Sequence, residues 1–149
     1  MQSNRKLILA LALTTMSLAH AQAPKQRVFR AGAFAMDVSP PKLPVLVSGM
    51  FLERAAEKIT DPVYARCLVL DDGAIRLAVV VVDSCMMPRD LLDEAKQLAS
   101  RTTGIRTDRM LISATHTHSA PSAMGVLGTP PDADYVKFLP GRIAGRFSK

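Results

Sequence analysis

Two histidines one residue apart, His116 and His118, follow the apolar run Leu111-Ile112-Ser113-Ala114 and precede Pro121. Along an extended chain, side chains at i and i+2 share a face, roughly 6.5–7 Å apart at about 3.3 Å per residue. Two imidazoles at that spacing can lean onto one metal ion, which they bind at roughly 2.0–2.1 Å. Hydroxyls flank the pair at Ser113, Thr115, Thr117 and Ser119, and the one other histidine is His20, far upstream. A His-x-His in a solvated loop can also bind nothing. How far the pair can be read therefore depends on the elements that carry it.

Those elements read as strand, helix, strand. Ile75–Val82 is apolar almost throughout, which predicts a strand covered on both faces. Pro88 to Thr102 predicts a helix, with Leu91, Leu92, Ala95, Leu98 and Ala99 on one side. Proline suits its first position, acidic residues stand near its positive end, and Gly104 stops it. The segment Arg109–Ala114 then returns as a strand that delivers the histidines. Such an order implies parallel neighbours joined by a right-handed crossover. Asp83, the residue after the first strand, would share the carboxyl end of the sheet with His116. That makes it a candidate partner to a ligand histidine, or a ligand itself. The carboxyl ends of strands are also where α/β folds place their chemistry.

Upstream, Val28–Val38 predicts an extended segment ended by Ser39-Pro40-Pro41. Lys42–Lys58 reads as a short strand and loop followed by a helical turn over Glu53–Lys58. Asp71-Asp72-Gly73 predicts a hairpin turn between strands Tyr64–Leu70 and Ile75–Val82. In that register Cys67 faces about Val79, and Cys85 lies roughly 20 Å further along. Disulfide Cα atoms must approach within about 7 Å, so no bond is expected between the two. After Pro121 a loop leads to a short helix, Asp132–Leu139, interrupted at Pro140-Gly141.

The amino terminus reads as an export signal. Arg5 and Lys6 precede the apolar run Leu7–Leu18, and Ala19-His20-Ala21 is a small-x-small cleavage signal. The run is shorter than the roughly 20 residues a membrane span needs, so no transmembrane helix is expected. Residues 1–21 thus read as a signal peptide cleaved after about Ala21, giving a secreted or periplasmic chain of residues 22–149. Cleavage removes two of the 19 basic residues and none of the 13 acidic ones, so the net charge falls from +6 to +4. The remaining basic residues are scattered, with two Tyr, five Phe and no Trp among them. That pattern argues against nucleic acid, which needs a basic patch or stripe.

The metallo-β-lactamase pattern wants Asp-His two residues after its second histidine, where Ala120-Pro121 stand here. Amidohydrolase barrels carry their His-x-His after the first strand, and this pair follows at least three. The run Ile112-Ser113-Ala114-Thr115-His116-Thr117-His118-Ser119-Ala120-Pro121 instead resembles the histidine motif of the neutral/alkaline non-lysosomal ceramidases, in their amino-terminal catalytic domain. Ala31-Gly32-Ala33 to Asp37-Val38-Ser39-Pro40, Asp61-Pro62-Val63-Tyr64-Ala65-Arg66 and Val79–Ser84 resemble that domain's earlier blocks, in the same order. The resemblance covers about residues 30 to 140.

It implies a zinc-dependent hydrolase that cleaves the amide bond of ceramide or a related N-acyl lipid, with the lipid substrate met at a membrane surface. It also implies that His116 is a Zn2+ ligand and that His118 stands beside the metal in a supporting catalytic role. The fold expected is α/β: a layered mixed sheet with a hairpin and a βαβ crossover, forming an incomplete domain. Residues 22–149 would be the front portion of the catalytic domain. The family's second histidine, glutamate and tyrosine ligands and its serine lie further downstream, in a missing segment or a second chain. Ser-Ala-Pro-Ser-Ala also stands where glycines are commoner. The chain by itself is accordingly expected to be inactive. The alternative is a non-catalytic exported fragment with weak or no zinc binding.

Overall fold

The computed structural model describes residues 27–145. The expected signal peptide and the last basic residues lie outside them. A four-stranded mixed sheet, in the order β1-β4-β5-β6, holds two helices on one face. Strand β1 (Arg30–Asp37) runs antiparallel to β4 (Tyr64–Asp71), and β4 antiparallel to β5 (Arg76–Val82). Strand β6 (Met110–Ala114) runs parallel to β5. Between them lies helix α1 (Arg89–Thr103), the connection that parallel neighbours require. Helix α2 (Ala133–Ile143) packs beside α1. This is the layered α/β arrangement the sequence predicts.

Alternation on the strands and periodicity on the helices meet in one core. Ala65, Val80, Val82 and Ile112 from the sheet pack with Leu91, Ala95, Tyr135 and Leu139 from the helices. Pro88 precedes α1 in extended conformation, and Gly104 closes it at φ 71° with its N–H on Ser100 O, 2.9 Å away. That left-handed angle costs a glycine little, so the helix stops cleanly. The hairpin is pinned by Asp72, whose Oδ1 accepts from the Ala74 and Ile75 N–H groups at 2.8 and 2.7 Å.

Three expectations need correction. The continuous hydrophobicity of β5 predicted cover on both faces, yet the described residues leave the face away from the helices partly open. Leu77 is 43% exposed there, beside Leu68 at 41% and Leu111 at 59%. Glu53–Lys58 does not form a helical turn. Ala55–Ala56 is instead a two-residue strand, β3, paired antiparallel with β2 (Val45–Leu46). The pairing brings Val45 into the core at 4% exposure, and this tertiary gain outweighs local helix preference. Finally, α2 runs through Pro140 to Ile143. A proline inside a helix costs about 3 kcal/mol, whereas burying Leu139 and Ile143 returns about 1.5–3 kcal/mol each, so the last turn persists.

Cys67 pairs with Val80 across the hairpin, one residue from the predicted register, and both cysteines are free thiols. No helix among the described residues is long and apolar enough to cross a membrane.

Candidate metal centre

Parallel pairing of β5 and β6 sets the site. Val82 lies beside Ala114, and backbone bonds between the two segments continue past the strand ends. Thr115 N–H donates to Val82 O and His116 N–H to Ser84 O, both at 2.9 Å. The start of the segment that leads into α1, Asp83–Cys85, thus lies against Thr115 and His116. The predicted common end of the sheet is real, and it carries more than the predicted residues.

His116 departs from the extended backbone that the i, i+2 argument assumed. Its φ is 64°, in the left-handed region that non-glycine residues seldom occupy. Such local strain persists only where surrounding contacts fix it, and it clusters at functional sites. One of those contacts is the bond from His116 Nδ1 to Cys85 O at 2.9 Å. A carbonyl only accepts, so Nδ1 carries the proton and Nε2 keeps its lone pair. This is how proteins commonly orient a ligand imidazole.

His118 is positioned from a different segment. Gly49, at φ 104°, lies so close that a Cβ there would stand 2.5 Å from His118 Cβ and Cγ. The Arg54 guanidinium donates to His118 O. The two imidazoles meet edge to face with centroids 5.1 Å apart. A turn and a glycine bring them together, rather than a shared strand face.

Asp83 shares this end of the sheet, but its carboxylate is engaged elsewhere. Arg66 Nη1 donates to Oδ1 and Oδ2 at 2.9 and 2.8 Å, and Tyr64 N–H to Oδ2 at 2.9 Å. These bonds tie β4 to the end of β5. The supporting bond that the sequence assigned to Asp83 comes instead from the Cys85 carbonyl.

Among the described residues, one group of three potential metal-binding side chains occurs: Cys85, His116 and His118, with one donor atom of each within 4.8 Å of the others. Cys85 is buried, and its Sγ lies 3.9 Å from His116 Nδ1. Nitrogen and sulfur donors together fit zinc well and fit magnesium or calcium poorly. Sequence reasoning missed Cys85 because it weighed that residue solely as a disulfide partner. Its position two residues past Asp83 was the available signal. Gly49 and Arg54 offered none, since their contacts cross more than sixty residues of chain.

Two cavities flank the centre. One, of about 250 Å³, is apolar on the side of Met86, Met87 and Leu92 and has His116 and Cys85 in its wall. The other, of about 420 Å³, includes Thr117, Ser119, Asp83, Arg54 and Lys58 in its lining. The His loop separates an apolar recess from a larger cavity of mixed lining.

No family model matches the chain. Among solved structures, the neutral ceramidase from Pseudomonas aeruginosa superposes with a TM-score of 0.64 at 22% identity, over 79% of this chain and 20% of that one. A second, described as ceramidase complexed with C2, gives a TM-score of 0.64 at 19% identity, again over 79% and 20%. The chain spans about a fifth of the length of these solved chains. What it shares with that part of them is the fold.

Proposed function

We propose that this chain carries the front portion of a zinc-dependent hydrolase that cleaves the amide bond of ceramide or a related N-acyl lipid, exported and meeting its substrate at a membrane surface. The observation that carries the reading is the placement of His116 and His118, beside Cys85, at the carboxyl end of the β5–β6 pair of a ceramidase-like fold. A zinc ion held at His116 supplies Lewis acidity toward an amide carbonyl and brings the pKa of water down to about 7. The chain's own residues do the rest. His116 presents Nε2 because Cys85 O fixes its other nitrogen. His118 stands beside it, ring centroids 5.1 Å apart. The apolar recess at Met86, Met87 and Leu92 suits an acyl chain, and the hydroxyls and charges of the larger, mixed cavity suit a hydroxylated headgroup.

A second reading keeps the metal and drops the turnover: an exported, non-catalytic relative with weak zinc binding. It is favoured by the likeness to the solved ceramidases, which at 19–22% identity is one of fold alone. Zinc titration of the purified chain and of His116→Ala tests the centre. One zinc per chain is expected, held at least about tenfold more weakly by the variant; equal affinities refute the site. Release of labelled fatty acid from a fluorescent ceramide then separates the readings. Turnover abolished by a chelator supports the hydrolase, zinc binding without turnover supports the second reading, and turnover that survives chelation refutes both.

A further inference from the structure

We propose that Cys85 is a metal ligand, its thiolate joining His116 and His118 in a three-donor site contained within this chain. The inference rests on the zinc reading above and changes its donor set: a sulfur enters, and His118 moves from a supporting role to the metal itself.

The bland account of a buried cysteine is that it packs like a small hydrophobe. Cys67 fits that account. It sits on the core face of β4 against apolar neighbours, and burial pushes its thiol pKa up, which favours the inert neutral form. Cys85 does not. It occupies a loop at the sheet's end, not a strand, and its Sγ is held toward a pair of imidazoles. The backbone of the same residue sets the His116 tautomer, so one residue both orients a ligand and offers another. Three protein donors with a fourth position open is the pattern of a zinc site that does chemistry, and thiolate with imidazole is among its known forms.

The spacing is compatible with closure. Bond lengths of about 2.3 Å to sulfur and 2.0–2.1 Å to nitrogen put tetrahedral donors roughly 3.5 Å apart. One donor atom of each residue lies within 4.8 Å of the others, so closure needs side-chain movements of about an ångström. Both histidines are exposed on a loop. Binding breaks the Cys85 S–H bond, the proton passes to solvent, and each neutral histidine gives a lone pair. One proton is therefore released per metal by the thiol. Such a donor set selects zinc or cobalt over magnesium and calcium.

Cobalt substitution of the full chain tests this without any assay of activity. The cobalt complex should show a thiolate-to-cobalt charge-transfer band in the near ultraviolet. Cys85→Ser should abolish the band and lower zinc affinity about 10- to 100-fold, while Cys67→Ser leaves both unchanged. Zinc, but not excess magnesium, should displace the cobalt. Should Cys85→Ser fail to fold, the wild-type spectrum still decides, together with protection of Cys85 from alkylation by zinc. Cobalt binding with visible d–d bands and no charge-transfer band overturns the thiolate ligand and leaves the His116 site standing. A chain that binds neither cobalt nor zinc overturns both.

Discussion

Gly49 offers the sharpest test of how the site is held. The change Gly49→Ala has two separable effects. A side chain at φ 104° is strained, by about 1–2 kcal/mol. The new methyl would also lie 2.5 Å from His118 Cβ and Cγ and 2.7 Å from its Cα, so His118 must move. Such overpacking adds about 1–3 kcal/mol. Gly73 provides the control, because its φ is also positive, at 84°, and a Cβ there meets nothing within 4 Å. Gly73→Ala should carry the strain alone. At about 3–5 °C per kcal/mol for a domain of this size, Gly73→Ala should lower Tm by roughly 3–10 °C and Gly49→Ala by more. The decisive readout is metal affinity. Gly49→Ala should weaken zinc binding by about 10- to 100-fold, as for the loss of a group that orients a ligand, and Gly73→Ala should leave it alone. Equal affinities for the two variants, or a greater Tm loss in Gly73→Ala, would refute the claim that Gly49 positions His118.

Other outcomes follow from single contacts. Ser122→Ala should cost about 1–3 kcal/mol in denaturant unfolding, because Ser122 Oγ accepts from buried Ser48 at 2.7 Å and donates to Pro130 O at 2.8 Å. Asp132→Ala should cost about 1–2 kcal/mol, since that carboxylate caps α2 through Tyr135 N–H at 3.0 Å and also accepts from Leu46 N–H at 3.2 Å. Tyr135 donates from its buried hydroxyl to Val38 O at 3.0 Å, and burial, then the charges of Asp83 and Asp37, push its pKa up. The unfolded chain releases this proton near pH 10 and the folded chain does not, so this contribution to stability is whole below pH 10 and fades as pH rises further. Tyr135→Phe should flatten the alkaline limb of the stability curve; an unchanged slope would show that the phenol does not titrate with unfolding.

Much of the architecture was legible because local signals agreed. Asp72 and Gly73 dictated a hairpin whose strands carry period-two burial, and Gly104 could end α1 because it tolerates the left-handed angle. The parallel return of β6 followed from helix length and the handedness of crossovers. What misled was the run Val79–Val82. Hydrophobicity reports what a residue tolerates, not what covers it, and Val79 and Val81 lie on a face that the described residues leave partly open. The strand β3 was hidden for another reason: Ala55 and Ala56 have no strand preference, and their partner is set by the burial of Val45.

The centre was half legible, and the missing half has a physical cause. Spacing along one segment can be counted, so His116 and His118 announced themselves. Cys85 lies thirty-one residues from His116, and it joins the pair because backbone pairing runs past the strand ends, from Thr115 N–H on Val82 O to His116 N–H on Ser84 O. Register is a tertiary quantity, yet here one sequence-level step reaches it. Once β5 and β6 are taken as parallel neighbours, every residue two or three past one strand's end becomes a candidate partner for its counterpart past the other. Asp83 was chosen because carboxylates are familiar partners of histidine. The alternation of side chains across a strand argues otherwise: Asp83 follows Val82, which points into the core, so it turns to the opposite face, where Arg66 on β4 holds it at 2.8 Å. Alternation ends with the strand, and Ser84 and Cys85 are brought to the histidines by the bonds of His116 N–H to Ser84 O and of His116 Nδ1 to Cys85 O.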